Sequence, residues 1–137
     1  MPRHCLGGRA ILALTASSIL LLVGCSRRLV FDHLRQADRI EVRANAEVLR
    51  TTADPETVHH ARAFIVARAD GWRQNWAGTP IPVFVIYFYS GNRAVGGYGV
   101  GADFLTNDPG GGSLSRSAVA KDCADLAAAL GVSLQRR

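Results

Sequence analysis

Seven consecutive apolar or aromatic residues at 83–89, Val-Phe-Val-Ile-Tyr-Phe-Tyr, constrain this chain more than any other stretch. β-branched and aromatic side chains pack well on a pleated surface, so the run reads as a central strand. Ser90, Gly91 and Asn92 turn the chain, and 93–101 is expected to return beside it. Upstream, 39–43 alternates polar and apolar residues, as a half-buried strand does. Asn45 tolerates positive φ and makes 44–46 a turn, so 47–52 should close a hairpin. Downstream, 102–106 and 112–115 are expected as a last, shorter hairpin around 107–110.

Two segments carry a helical period instead. Asp54 can cap a helix that has Pro55 in its first turn, and Val58, Ala61, Ile65 and Ala69 recur at three- to four-residue spacing. Gly71 is expected to end that helix, and 72–82 to form a loop holding both tryptophans. Ser117 is expected to cap a second helix that buries Val119, Cys123, Leu126, Ala127 and Leu130 and stops at Gly131. The order is β-β-α-β-β-β-β-α. It predicts an α+β fold, an antiparallel sheet of about six strands with both helices on one face. This order is similar to the TATA-binding-protein-like architecture with one extra strand. The likeness is topological, and no DNA role follows from it.

The start of the chain has a different character. Arg3, His4 and Arg9 precede an apolar run over 10–23 that is interrupted by Thr15, Ser17 and Ser18, the pattern of a secretion signal. A membrane-spanning helix needs about 20 apolar residues, more than this run supplies before Arg27 and Arg28. Leu22-Val23-Gly24-Cys25 resembles the lipobox of bacterial lipoprotein precursors: an aliphatic residue, a β-branched or small one, a small one, then cysteine. The resemblance covers residues 1–25. It implies a diacylglyceryl thioether on Cys25, cleavage between Gly24 and Cys25, and acylation of the new amine. Ser26, where Asp would favour the inner membrane, implies sorting to the periplasmic face of the outer membrane of a Gram-negative bacterium. Fifteen Arg against one Lys, with twenty Ala, fit a GC-rich bacterial genome. The expected organisation is a signal at 1–24, a lipidated tether at 25–36 with some helix near Leu29 and Leu34, and one α+β domain at 37–137.

On that reading Cys5 leaves with the signal and Cys25 carries lipid, so Cys123 has no partner for a disulfide. Stability must come from an ordinary apolar core. Loss of Arg3 and Arg9 leaves fourteen basic and eleven acidic residues, a net charge of +3 with no basic block. Nucleic acid is therefore not an expected partner.

Candidate chemistry is sparse. Gly97-x-Gly99-x-x-Ala102 matches a loose dinucleotide pattern, but its glycines fall within a strand and open no helix, so a nucleotide site lacks its context. Val95, Gly97, Gly99 and Gly101 instead share one smooth strand face, onto which a helix or a bulky ring can pack. His59 and His60 are neighbours and point about 100° apart on a helix, so they do not make the four-apart histidine pair of a helical metal site. No metal or cofactor is expected. Cys123 lies on an apolar stripe, as a small buried hydrophobe does. Asp103, Asp108, Ser113, Ser115 and Ser117 suit turns and caps.

Trp72, Trp76, Tyr87, Tyr89 and Tyr98 make up the aromatic concentration, about half of it expected in the core. Should Tyr87 and Tyr89 face away from the helices beside Arg39 and Arg43, the four would form a recognition surface, since Tyr and Arg are enriched in binding hot spots. The function expected is a non-enzymatic binding or accessory lipoprotein, held to the membrane through Cys25, with an envelope protein or glycan as partner. The alternative is a small envelope hydrolase or transferase using Asp103, Asp108 or a histidine.

Overall fold

The computed structural model describes residues 27–107 and 114–135. The expected signal, Gly24 and Cys25, and also Asp108 and Ser113, lie outside the described residues.

Strands β1 (Arg39–Ala44) and β2 (Glu47–Thr52) form the expected hairpin, with Asn45 at a φ of 54° in its turn. Helix α1 (Pro55–Val66) follows, then β3 (Arg73–Gln74), β4 (Phe84–Ser90), β5 (Arg93–Val100), β6 (Phe104–Asn107), β7 (Leu114–Ser117) and α2 (Ala120–Leu130). All the strand pairings are antiparallel, in the order β2-β1-β4-β5-β6-β7-β3. The α+β class is as expected, with seven strands in place of six. The addition is β3, two residues of the segment expected as loop, which add to the edge by pairing Arg73 with Ser115 and Gln74 with Leu114.

Alternation along the strands separates two faces. Ile40 and Val42 of β1, Phe84, Ile86 and Phe88 of β4, and Tyr98 and Val100 of β5 are buried beneath the helices. From α1 come Val58, Ala61 and Ile65, and from α2 Cys123, Leu126, Ala127 and Leu130, all in the same core cluster. Burying an aliphatic or aromatic side chain of this kind contributes about 1.5–3 kcal/mol before ordering costs.

The helix ends follow local chemistry, with two departures from expectation. Asp54 caps α1, its carboxylate accepting from the Thr57 amide at 2.8 Å and the Thr57 hydroxyl at 2.5 Å. The helix closes at Val66 with Ala67 as its cap, before Gly71. Gly71 takes a φ of 84° in the turn that swings Trp72 into the core. At the other helix, Ser117 stays in β7 and Val119 becomes the N-cap without a side-chain hydrogen bond, 62% exposed rather than buried. Gly131 ends α2 as expected, in the left-handed region at a φ of 67°.

Residues 27–36 are built into the domain. Arg27 and Trp72 exchange backbone hydrogen bonds of 2.7 and 3.3 Å, and Leu29 N–H donates to Ala69 at 2.9 Å. A short 3₁₀ turn, Asp32–Gln36, buries Leu34 beside Phe31. Trp72 is fully buried, its indole N–H donating to the Arg68 carbonyl at 2.8 Å.

Candidate functional site

The face of the sheet turned away from the helices is where the expected Arg and Tyr residues meet. Strand alternation places Arg39, Glu41 and Arg43 on one side of β1, and the β1–β4 register sets Arg39 opposite Tyr89 and Glu41 opposite Tyr87. The Arg39 guanidinium carbon stands 4.2 Å from the centre of the Tyr89 ring, and that of Arg43 stands 5.6 Å from the centre of the Tyr87 ring. Each is a cation–π pair, attracted through the negative face of the ring. The four residues thus form a ladder of alternating planar cations and rings across two adjacent strands.

Three further hydrogen bonds fix its geometry. Arg39 also donates to the Gly91 carbonyl at 3.3 Å, and the Gly91 amide donates to the Asp38 carboxylate at 2.9 Å, tying the ladder to the β4–β5 turn. Arg43 donates through Nε to Glu41, whose side chain is only 12% exposed. That hydrogen bond raises the Arg43 guanidinium pKa above its already high ordinary value. Glu41 escaped the sequence reading, although the two-residue period of 39–43 already places it with the two arginines. The carboxylate neutralises one rung and leaves Arg39 as the rung without a carboxylate of its own on this face.

Beside the ladder the sheet is bare. A Cβ on Gly97 would lie 3.1 Å from the Tyr87 ring, so the ring leans over the glycine. On Gly99 it would collide with the Thr106 hydroxyl and come within 2.7 Å of the Pro82 ring, and on Gly101 it would meet the Phe104 ring. Gly97, Gly99 and Gly101 share that face and receive rings and a loop, as expected, whereas Val95, at the register shift between β4 and β5, packs against the core on the helix side. Pro82 packs over Gly99 of β5, which leaves β1, β2 and β4 as the open part of this face. Chemically, a stacked guanidinium offers in-plane donors to carboxylate, phosphate or hydroxyl groups, and the phenol rings offer flat apolar surface with a polar edge.

The other candidates are placed as follows. Trp72 and Tyr98 are core residues, the Tyr98 hydroxyl lying 3.1 Å from His33 Nε2 and its pKa pushed up by burial. Trp76 is 93% exposed. His59 and His60 sit exposed on α1, His59 Nδ1 at 3.2 Å from Arg62. Cys123 is fully buried, and burial raises its thiol pKa, which keeps it protonated and unreactive. Asp103 is exposed in the β5–β6 turn. Ser115 donates to Asn75 at 2.6 Å, inside the β3–β7 edge.

Cavities among the described residues lie elsewhere. One of about 530 Å³ opens between the β1–β2 hairpin, Ile81–Val83 and 131–135, with Glu47 its one ionisable lining residue among those described. Another, of about 610 Å³, runs between 28–32 and α1. No group of three or more His, Cys, Asp or Glu side chains among the described residues is placed to hold a metal ion. No helix among them is long and apolar enough to cross a membrane.

The fold defines an α+β two-layer domain whose open sheet face carries the array of charged and aromatic groups described above. No family model, curated protein or solved structure matches the chain.

Proposed function

We propose that this chain is a lipid-anchored envelope protein, attached through Cys25 at the periplasmic face of the outer membrane, and that it acts as a non-enzymatic binding module. The observation that carries the binding role is the Arg39–Tyr89 and Arg43–Tyr87 ladder on the open face of the sheet. Tyr and Arg are the residue types that dominate binding energy at interfaces, and here they are held in one geometry before any ligand arrives. The partner suited to it is an envelope protein or glycan presenting acidic or hydroxyl groups to the arginine edge and an apolar surface to the rings.

The anchor rests on the sequence around 22–25 and on the two arginines that follow it. A single acyl chain binds a bilayer marginally, whereas three give effectively permanent attachment, since each buried methylene adds about 0.8 kcal/mol. The test is a cross-linking pull-down of the tagged full-length protein from native membranes. It is run beside Cys25→Ser and beside the Tyr87→Ser, Tyr89→Ser pair. A stoichiometric partner recovered with the parent chain and lost with both tyrosines replaced supports the binding face. Equal recovery from the tyrosine variant contradicts it, and unchanged processing and membrane attachment of Cys25→Ser contradicts the anchor.

A further inference from the structure

The groove between 28–32 and α1 combines apolar and cationic groups at the point where the chain enters the domain. Leu29, Phe31 and Ala69 line it, while Val30 and Val66 stand 71% and 45% exposed at its mouth. Arg28, Arg35 and Arg62 also line it, against one carboxylate, Asp32. Arg28 reaches Asp70 at 3.5 Å and Arg35 reaches Asp32 at 3.4 Å. Both pairs are largely exposed, so water and competing anions weaken them. Arg62 touches no carboxylate among the described residues: it donates to the Arg35 carbonyl at 3.3 Å and lies against His59.

We infer that this groove is a membrane-contact surface, its arginines taking the phosphates of anionic lipid headgroups and its two valines meeting the acyl boundary. The inference rests on the anchor reading above. Cys25 is two residues before Arg27, so its α-carbon lies within about 7 Å of that of Arg27 whatever path the chain takes. Arg27 is itself held to Trp72 by paired backbone hydrogen bonds, and Leu29 to Ala69. There is then no long linker between lipid and domain, and the surface around 27–30 must lie at the depth of the headgroups. What that surface presents is suited to the place: planar guanidiniums that match phosphate geometry, with apolar side chains between them. Because the acyl chains already supply the attachment, the groove sets the orientation of the domain on the bilayer.

The test uses the full-length lipidated protein with Cys123→Ala, reconstituted in vesicles of phosphatidylglycerol and phosphatidylethanolamine. A polarity-sensitive fluorophore is placed at Val66→Cys or, as a control on the far sheet face, at Thr51→Cys, and spin-labelled lipid serves as quencher. The expected result is quenching several-fold stronger at position 66, reduced in wholly zwitterionic vesicles and by the Arg28→Glu, Arg62→Glu pair. Equal quenching at both positions in protein whose intact mass shows the lipid overturns the groove and leaves the anchor standing. Strong quenching at 66 that ignores lipid charge and both arginines overturns the headgroup assignment. If the mass shows no lipid, the anchor reading fails. The groove is then judged by co-sedimentation of that chain with the same anionic vesicles: arginine-dependent binding upholds it, and no binding overturns it.

Discussion

Gly97 and Gly99 stand two residues apart on one face of β5, and alanine should be tolerated at 97 but not at 99. Neither needs a positive φ, so the backbone accepts alanine at both and the difference is steric. Replacing glycine where the conformation is compatible stabilises by about 0.4–1 kcal/mol, through the reduced freedom of the unfolded chain. At 97 the new methyl meets the Tyr87 ring at 3.1–3.2 Å. That ring is half-buried on an open face and can yield a few tenths of an ångström, so Gly97→Ala should lie within about 0.5 kcal/mol of the parent. At 99 the methyl meets the buried Thr106 side chain and two Pro82 ring carbons at 2.7 and 2.8 Å. Thr106 is buried and the proline ring is rigid, and overpacking of this kind costs about 1–3 kcal/mol. Gly99→Ala should be destabilised by about 1–2 kcal/mol after the entropic gain, a fall in Tm of about 4–8 °C for each kcal/mol. Urea unfolding in mild detergent, followed by fluorescence of the buried Trp72, measures both. Equal midpoints for Gly99→Ala and the parent would refute the packing of Pro82 and Thr106 on β5.

Other outcomes follow from burial and capping. Leu126→Ala, at a fully buried position of α2, should cost about 2–5 kcal/mol in the same unfolding assay, whereas Val119→Ala at the exposed N-cap should change stability by no more than about 0.5 kcal/mol. Burial raises the pKa of both Cys123 and Tyr98, so the unfolded chain loses those protons first as pH rises. Stability should be unaffected by them below about pH 8.5 and fall progressively above it, and the Cys123→Ala, Tyr98→Phe pair should flatten that alkaline slope. Asp54 has a lowered pKa because the Thr57 side chain and amide donate to its carboxylate. Its contribution is present above the ordinary aspartate value of about 3.9 and lost as pH falls through the lowered one, an acid-limb difference that Asp54→Ala should abolish. Thiol labelling of Cys123 should be slow in native protein and fast in urea, and fast native labelling would contradict its burial.

The sequence carried the fold wherever a period or a turn residue recorded it. The alternation of 39–43, the run at 83–89, Asn45, Asp54 and Gly131 each specify a local geometry that the chain adopts. Three features left no such trace. β3 is two residues long, too short to show a period, and exists because β7 offers an edge. Val119 lies on the apolar stripe of α2 by spacing, but the helix starts one residue after it, which turns it outward as the cap. The clamp of 27–30 on Trp72 joins segments distant in sequence through backbone hydrogen bonds, which side-chain patterns do not encode. At the candidate site, Arg39, Arg43, Tyr87 and Tyr89 were legible because a two-residue period assigns faces. That each guanidinium lies over its own ring depends on the β1–β4 register, a tertiary property.

The most direct test of the binding face is site-specific photo-cross-linking in intact membranes. A photoreactive phenylalanine analogue replaces Tyr89 on the ladder or His60 on the exposed side of α1, in the full-length chain. The account predicts one discrete adduct from position 89, absent from position 60 and lost when Arg39→Ala and Arg43→Ala are added. Identical adducts from both positions, or a discrete partner at position 60 alone, would contradict it.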